Sequence, residues 1–166
     1  LIMSVLVSMS QSEPVTLAEV KVWGKIEHDD EDDVLDSLIT SCRDELERYL
    51  KIAFVTQVWR DDFDSMHDAV YSPRLPLTAV SMTVDAVVNT EFKFNQATGR
   101  VKPDQQIYGA DIVVIYTSTV TALQPVLKTA LLDLISYRFD NRGNAEAMQM
   151  PMDIKNRFQH MRAVSI

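Results

Sequence analysis

Two acidic runs hold most of the chemistry that this chain of 166 residues offers. The first is Glu27-His28-Asp29-Asp30-Glu31-Asp32-Asp33. Carboxylates at alternate positions are how a calcium loop gathers oxygen ligands. A loop begun at Asp29, however, puts Val34 where the turn needs Gly and Thr40 where a bidentate Glu belongs, and one begun at Asp30 makes Val34 a ligand. A solvated helix start accounts for this run better than a metal site. The second run, Asp61-Asp62-Phe63-Asp64 with His67 and Asp68 nearby, offers hard oxygen ligands and an imidazole, the set a metal-dependent hydrolase uses. A polar loop between strands explains it equally simply and is preferred.

The other nucleophile and ligand types are poorly placed for catalysis. His28, His67 and His160 are scattered and have no zinc spacing. No Gly-x-Ser-x-Gly elbow frames a serine, and 4 glycines are too few for the usual phosphate-cradling loops. Cys42, the single cysteine, lies on the apolar face of a helix, where core packing explains it. It excludes an intrachain disulfide and suits a reducing compartment. No catalytic residue, cofactor site or metal site follows from these patterns.

The elements that carry these residues are read from periodicity. Thr16 and Glu19 form a capping box that starts a short helix at 17–24, with Leu17, Val20 and Trp23 expected on its buried side. Val34, Leu35, Leu38, Ile39, Cys42, Leu46 and Tyr49 recur at helical spacing behind Asp29–Asp33, whose carboxylates meet the positive end of the helix dipole. The pattern then shortens. Runs at 54–60, 69–71, 79–88, 91–94 and 111–117 read as short strands, with Asn95–Gly99 as a hairpin turn. Pro125 opens another helix, carried by Leu127, Leu131, Leu134 and Ile135 to about Phe139 and stopped near Gly143. Residues 144–150 read as a link, and Pro151 opens a last short helix with Ile154 and Phe158 on one face. Met148, Met150 and Met152 make a soft apolar stretch suited to an adaptable contact.

Charge is divided unevenly. Residues 1–70 hold 6 basic and 16 acidic side chains, and residues 71–166 hold 10 and 8, so the net charge of −8 arises wholly in the first part. This argues against a generic nucleic-acid binder, which needs a clustered basic surface. An acidic DNA mimic that inhibits another protein is one alternative. It needs carboxylates at phosphate-like spacing, whereas these cluster in two runs. No stretch approaches the ~20 apolar residues of a membrane helix. The apolar opening, residues 1–9, lacks a positive leader and reads as an arm for a groove or a neighbouring subunit.

Several segments in order resemble the head–tail connector (adaptor) proteins of tailed bacteriophages. They are Pro14-Val15-Thr16-Leu17-Ala18-Glu19-Val20-Lys21, the acidic Asp29–Asp32, Leu35-x-x-Leu38-Ile39, Glu47-Arg48-Tyr49 and Thr56-Gln57-Val58-Trp59. Leu75-Pro76-Leu77-Thr78-Ala79-Val80, Val114-Ile115-Tyr116-Thr117 and the helix from Pro125 to Tyr137 with Asn141-Arg142 continue the series. The chain departs from that pattern at Ser118-Thr119-Val120, where a Gly is usual, and at Gly24, where a long polar residue is usual. The resemblance implies an α+β fold that is mainly helical: about three to four helices in a small bundle, with a short-stranded antiparallel β insertion (about 54–117) between the second and third main helices. The corresponding division is an N-terminal arm at 1–13, a connector domain at 14–143 and a C-terminal extension with a short helix at 144–166.

The implied role is structural, with no catalysis and no cofactor. A dodecameric ring docks on the portal, prolongs the DNA channel and offers a platform to the stopper or tail-completion protein. Genomic DNA passes through without sequence-specific binding, and no membrane is involved. The implied location is the virion neck, after assembly in the bacterial cytoplasm. On that basis Asp29, Asp30, Asp32 and Asp33 are candidates to meet Arg138 and Arg142 of the next subunit, since a head-to-tail ring joins two different patches. The same carboxylates compete for a second role, lining the channel and repelling DNA. Met152, Ile154, Arg157, Phe158 and Arg162 are the candidate portal contacts, and Asp61, Asp62 and Asp64 the candidate tail-side contacts. Truncation at Asn144 is then expected to abolish portal binding and leave the domain folded.

Overall fold

A computed structural model describes residues 4–120, 122–144 and 149–162. The chain forms two compact units, one of strands and one of helices. The β unit takes the chain through Gln11 together with Lys51–Val120, and the helical unit takes Ser12–Leu50 with Thr121–Arg162.

In the β unit, alternating side chains make strands β1 (Val5–Met9), β2 (Gln57–Phe63), β3 (Val70–Tyr71), β4 (Leu77–Val84), β5 (Val87–Asn89), β6 (Phe92–Phe94), β7 (Arg100–Pro103) and β8 (Ile112–Ser118). Five of them form an antiparallel sheet in the order β1-β2-β8-β4-β5, and three form a second antiparallel sheet, β3-β7-β6. The central strand β8 buries Ile112, Val114, Tyr116 and Ser118 while the intervening residues are half-buried, the period of two that one covered face imposes. Its covered face meets Phe63, Met66, Leu77, Met82 and Val101 in one apolar core.

Two turns hold the ladder in register. Between β4 and β5 only Asp85 and Ala86 intervene, both at positive φ (49° and 63°), as a two-residue hairpin requires. The Asp85 carboxylate accepts from the amide of Asp111 at 2.9 Å, which fastens this hairpin beside the start of β8. Between β6 and β7 the Asn95 side chain accepts from the amides of Ala97 and Thr98. There Gly99 lies at φ 67°, a conformation that favours glycine, and a Cβ would also displace the end of the Leu75 side chain.

The helical unit contains α1 (Leu17–Gly24), α2 (Asp32–Leu50), α3 (Pro125–Asp140) and α4 (Met152–Phe158), followed by a 3-10 turn, Gln159–Met161. The expected capping box is present: Thr16 Oγ1 accepts from the Glu19 amide and the Glu19 carboxylate accepts from the Thr16 amide. α2 buries Leu35, Ile39, Cys42, Leu46 and Leu50 along one stripe. α3 buries Leu127, Ala130, Leu131, Leu134, Ile135 and Phe139, and α4 buries Ile154 and Phe158. In α1 only Val20 is buried. Trp23, expected on the buried side, is 47% exposed.

The expectation of a mainly helical bundle with a small β insertion is overturned. Among the described residues helix accounts for 34% and strand for 28%, and the eight strands seen there build two antiparallel sheets. The strand content exceeds the expectation at β1 and β7. In β1 all five residues are exposed, so no buried face imposes alternation on Val-Leu-Val-Ser-Met. In β7, Arg-Val-Lys-Pro alternates correctly but over four residues, with one β-branched side chain to mark it. The arm and the link were expected at 1–13 and 144–150. Of these, residues 5–9 are strand β1, and residues 145–148, including Met148, lie outside the described residues.

Candidate functional site

The first acidic run is partly neutralised within its own unit. The Lys21 ammonium, at the middle of α1, reaches Asp29 and, at 2.8 Å, Asp32. The Arg142 guanidinium pairs with Glu31 and lies 4.0 Å from the centroid of the Phe139 ring. These cations hold the carboxyls of Asp29 and Glu31 below the ordinary carboxylate range, chiefly by hydrogen bonding. Asp30, Asp33 and Asp36 are exposed and make no ion pair among the described residues.

The basic residues expected at the subunit interface have partners in the same chain. Arg138 meets Glu45 at 2.6 Å, and Arg142 meets Glu31 as above. The five candidate portal contacts divide by burial. Ile154 and Phe158 point into the core, and the Tyr49 hydroxyl donates to the Lys155 carbonyl at 3.0 Å, fastening α4 to α2. Arg157 pairs with Asp133 at 3.0 Å, and Arg162 lies over the Tyr49 ring. Met152 is 68% exposed and is the apolar side chain that α4 turns outward.

The second acidic run is split by the pleat of β2. Asp62 is exposed and pairs with Arg60 at 2.7 Å, and Asp64 is exposed. Asp61 points the other way and is buried beside the Tyr116 hydroxyl. Burial, and then the neighbouring Asp61 carboxylate, push the Tyr116 phenol upward. His67 packs against the Tyr108 ring, with centroids 4.4 Å apart. Among the described residues no group of three His, Cys, Asp or Glu side chains is disposed to hold a metal ion. The Cys42 thiol is buried and pushed up to about 12 by desolvation, which removes its nucleophilic form at neutral pH.

Sequence reasoning missed two features. The first is an ion triad with two buried members and a half-buried one: Arg43 donates to Glu13 at 2.7 Å and to Glu47 at 2.9 Å, and Glu13 also accepts from Thr40. Arg43 and Glu47 are spaced i,i+4 with opposite charge, a pattern usually read as a solvated pair. Glu13, thirty residues earlier, is the partner that no local pattern reveals. The second feature is an apolar groove of about 360 Å³ lined by Ala18, Val22, Trp23 and Leu132, with Glu19 at its margin. No helix is long and apolar enough to cross a membrane among the described residues.

These surfaces lie on a fold that recurs elsewhere. A chain from the neck of an empty gene transfer agent (GTA) particle, computed with C6 symmetry, superposes with a TM-score of 0.79 at 17% identity, over 99% of this chain and 97% of that one. A chain from the virion of a native GTA particle gives 0.79 at 16% identity, over 99% and 97%. One from the neck of a native GTA particle, computed with C12 symmetry, gives 0.61 at 14%, over 98% and 97%. Among curated proteins no sequence matches. A family model described as phage gp6-like head-tail connector protein matches residues 14–106. That segment is more than half of the chain, and the chain belongs to the phage gp6-like head-tail connector family.

Proposed function

We propose that this chain is one subunit of a connector ring in the neck of a phage-like particle, where it docks on the portal, prolongs the DNA channel and carries the next tail component. The observation that carries this is the pairing of family membership with a fold shared, over nearly the whole chain, with neck chains of particles described with C6 and C12 symmetry. A dodecamer is the ring those symmetries favour. Exposed Met152 on α4 is the proposed centre of the portal contact, flanked by Arg157 and Arg162. Asp62 and Asp64 are the proposed tail-side contacts, since both are exposed beside Asp61. The role is one of shape and contact and uses no catalytic group.

Electron microscopy of the purified protein, alone and mixed with its portal, tests the reading. Closed rings or capped portals are expected. A protein that stays monomeric and leaves portals bare at micromolar concentration overturns it.

A further inference from the structure

The three-stranded sheet has two unlike faces. Register pairs Tyr71 with Arg100 and Lys93 with Lys102, so these four side chains share one face. The other face carries Val70, Val101, Phe92, Phe94 and Pro103, of which Val101 and Pro103 are buried and Phe94 at the end of β6 is exposed. The first face therefore holds three exposed cations, with two lysines directly opposite each other. Such like-charge pairs destabilise a sheet. Their visible compensation is one loose contact, Lys93 to Asp104 at 3.6 Å with the lysine 86% exposed. Arg100 and Lys102 make no ion pair among the described residues. A protein of net charge −8 thus keeps a cationic face on a small sheet with a single loose ion pair among the described residues.

The chain also carries the matching surface. Lys21 and Arg142 engage Asp29, Asp32 and Glu31, which leaves Asp30, Asp33 and Asp36 exposed and unpaired among the described residues around the start of α2. Asp33 and Asp36 are spaced i,i+3 on the helix, about 5–6 Å apart at Cβ. Arg100 and Lys102 are two residues apart on a strand, about 6.7 Å. Two rows of similar pitch and opposite charge are complementary, and a head-to-tail contact joins two such different patches of neighbouring copies.

We infer that the cationic face of the β3-β7-β6 sheet is one side of the subunit contact, and that its occupant is the acidic start of α2 in a second copy. The inference rests on the ring reading above and replaces Arg138 and Arg142, which are engaged within their own chain, as the basic side of that contact. Duplex DNA is the less fitting occupant. Three cations displace few counterions, and the acidic remainder of the subunit repels phosphates at longer range.

Charge exchange tests this directly. One variant carries Arg100→Glu and Lys102→Glu, the other Asp33→Lys and Asp36→Lys, each checked for wild-type circular dichroism and urea midpoint. Each variant alone is expected to lose ring assembly, scored by sedimentation and negative-stain microscopy with and without portal, by at least about tenfold. An equal mixture of the two is expected to restore rings, because each then faces a neighbour of opposite sign at both contacts. Rings that survive the single variants, or a mixture that stays unassembled, overturn the inference and leave the ring reading standing. Intact rings with a lost affinity for a duplex DNA fragment assign the face to nucleic acid and also overturn it. Absence of rings from the wild-type chain overturns both.

Discussion

Arg43 is 2% exposed and Glu47 1% exposed, and together they form the most completely buried ion pair among the described residues of the helical unit. Removing one member of such a set strands a carboxylate without its counter-charge, so Arg43→Ala is expected to cost about 3–5 kcal/mol in urea unfolding. The double variant Arg43→Met, Glu47→Leu, which removes both buried charges, is expected to recover most of that loss. Cys42 gives a second readout at this scale. With its thiol pushed up to about 12, it is expected to react with a thiol reagent at pH 8 only as fast as the helical unit opens. Prompt labelling of native protein would contradict its burial. Both side chains show the limit of a one-dimensional pattern. The stripe that contains Cys42 was legible because i,i+3 and i,i+4 spacing persists for five turns. The triad was not, because its third member comes from a segment that only the fold brings near.

At the level of elements, strong periodicity and local chemistry were readable, and short or edge segments were not. α2 and α3 follow from apolar spacing, and α1 from the capping box that the structure contains. β1 and β7 escaped because an exposed edge strand and a four-residue strand give no stretch of alternation to detect. Asp61 was read with its neighbours as a polar loop, yet continuing the period of two from Gln57 puts it on the inner face with Phe63. The β4–β5 turn invites a gain in stability. Asp85→Asn with Ala86→Gly places the residues that a positive-φ pair favours, and is expected to raise stability by about 1 kcal/mol at unchanged urea slope. Three ion-paired carboxylates, two before α2 and one in α1, contribute to the response to pH. Asp29, Glu31 and Glu19 all titrate below their ordinary values, so their contribution is complete above the unfolded carboxylate range and is lost as pH falls through the lowered values. The thermal midpoint is therefore expected to stay level from pH 7 to about 5 and to fall below about pH 4. Glu31→Gln should flatten part of that slope.

For the whole molecule, the burial of α4 changes which experiment isolates the proposed portal contact. Truncation at Asn144 removes Ile154 and Phe158 from the core, so it would disturb folding and binding together. Met152→Asp leaves that packing in place. It is expected to lower portal capping by at least about tenfold with an unchanged urea midpoint, since an apolar anchor at the centre of a contact carries a disproportionate share of binding. Equal capping by the variant would move the portal contact elsewhere on the surface. Family membership was legible from the ordered segments, because each keeps a local pattern. The assignment of single residues to interfaces was not, since a charge that looks free in the sequence is often paired in the fold.

β1 has a consequence for the life of the subunit before assembly. Val5, Leu6, Val7 and Met9 are 36–55% exposed on a strand at the margin of a sheet, a combination that invites indiscriminate pairing between chains. The excess of carboxylates acts against this as colloidal protection, holding unassembled copies apart by mutual repulsion. Free subunits should therefore precipitate most readily near the isoelectric point, about pH 4.8, where that repulsion vanishes while the sticky margin persists.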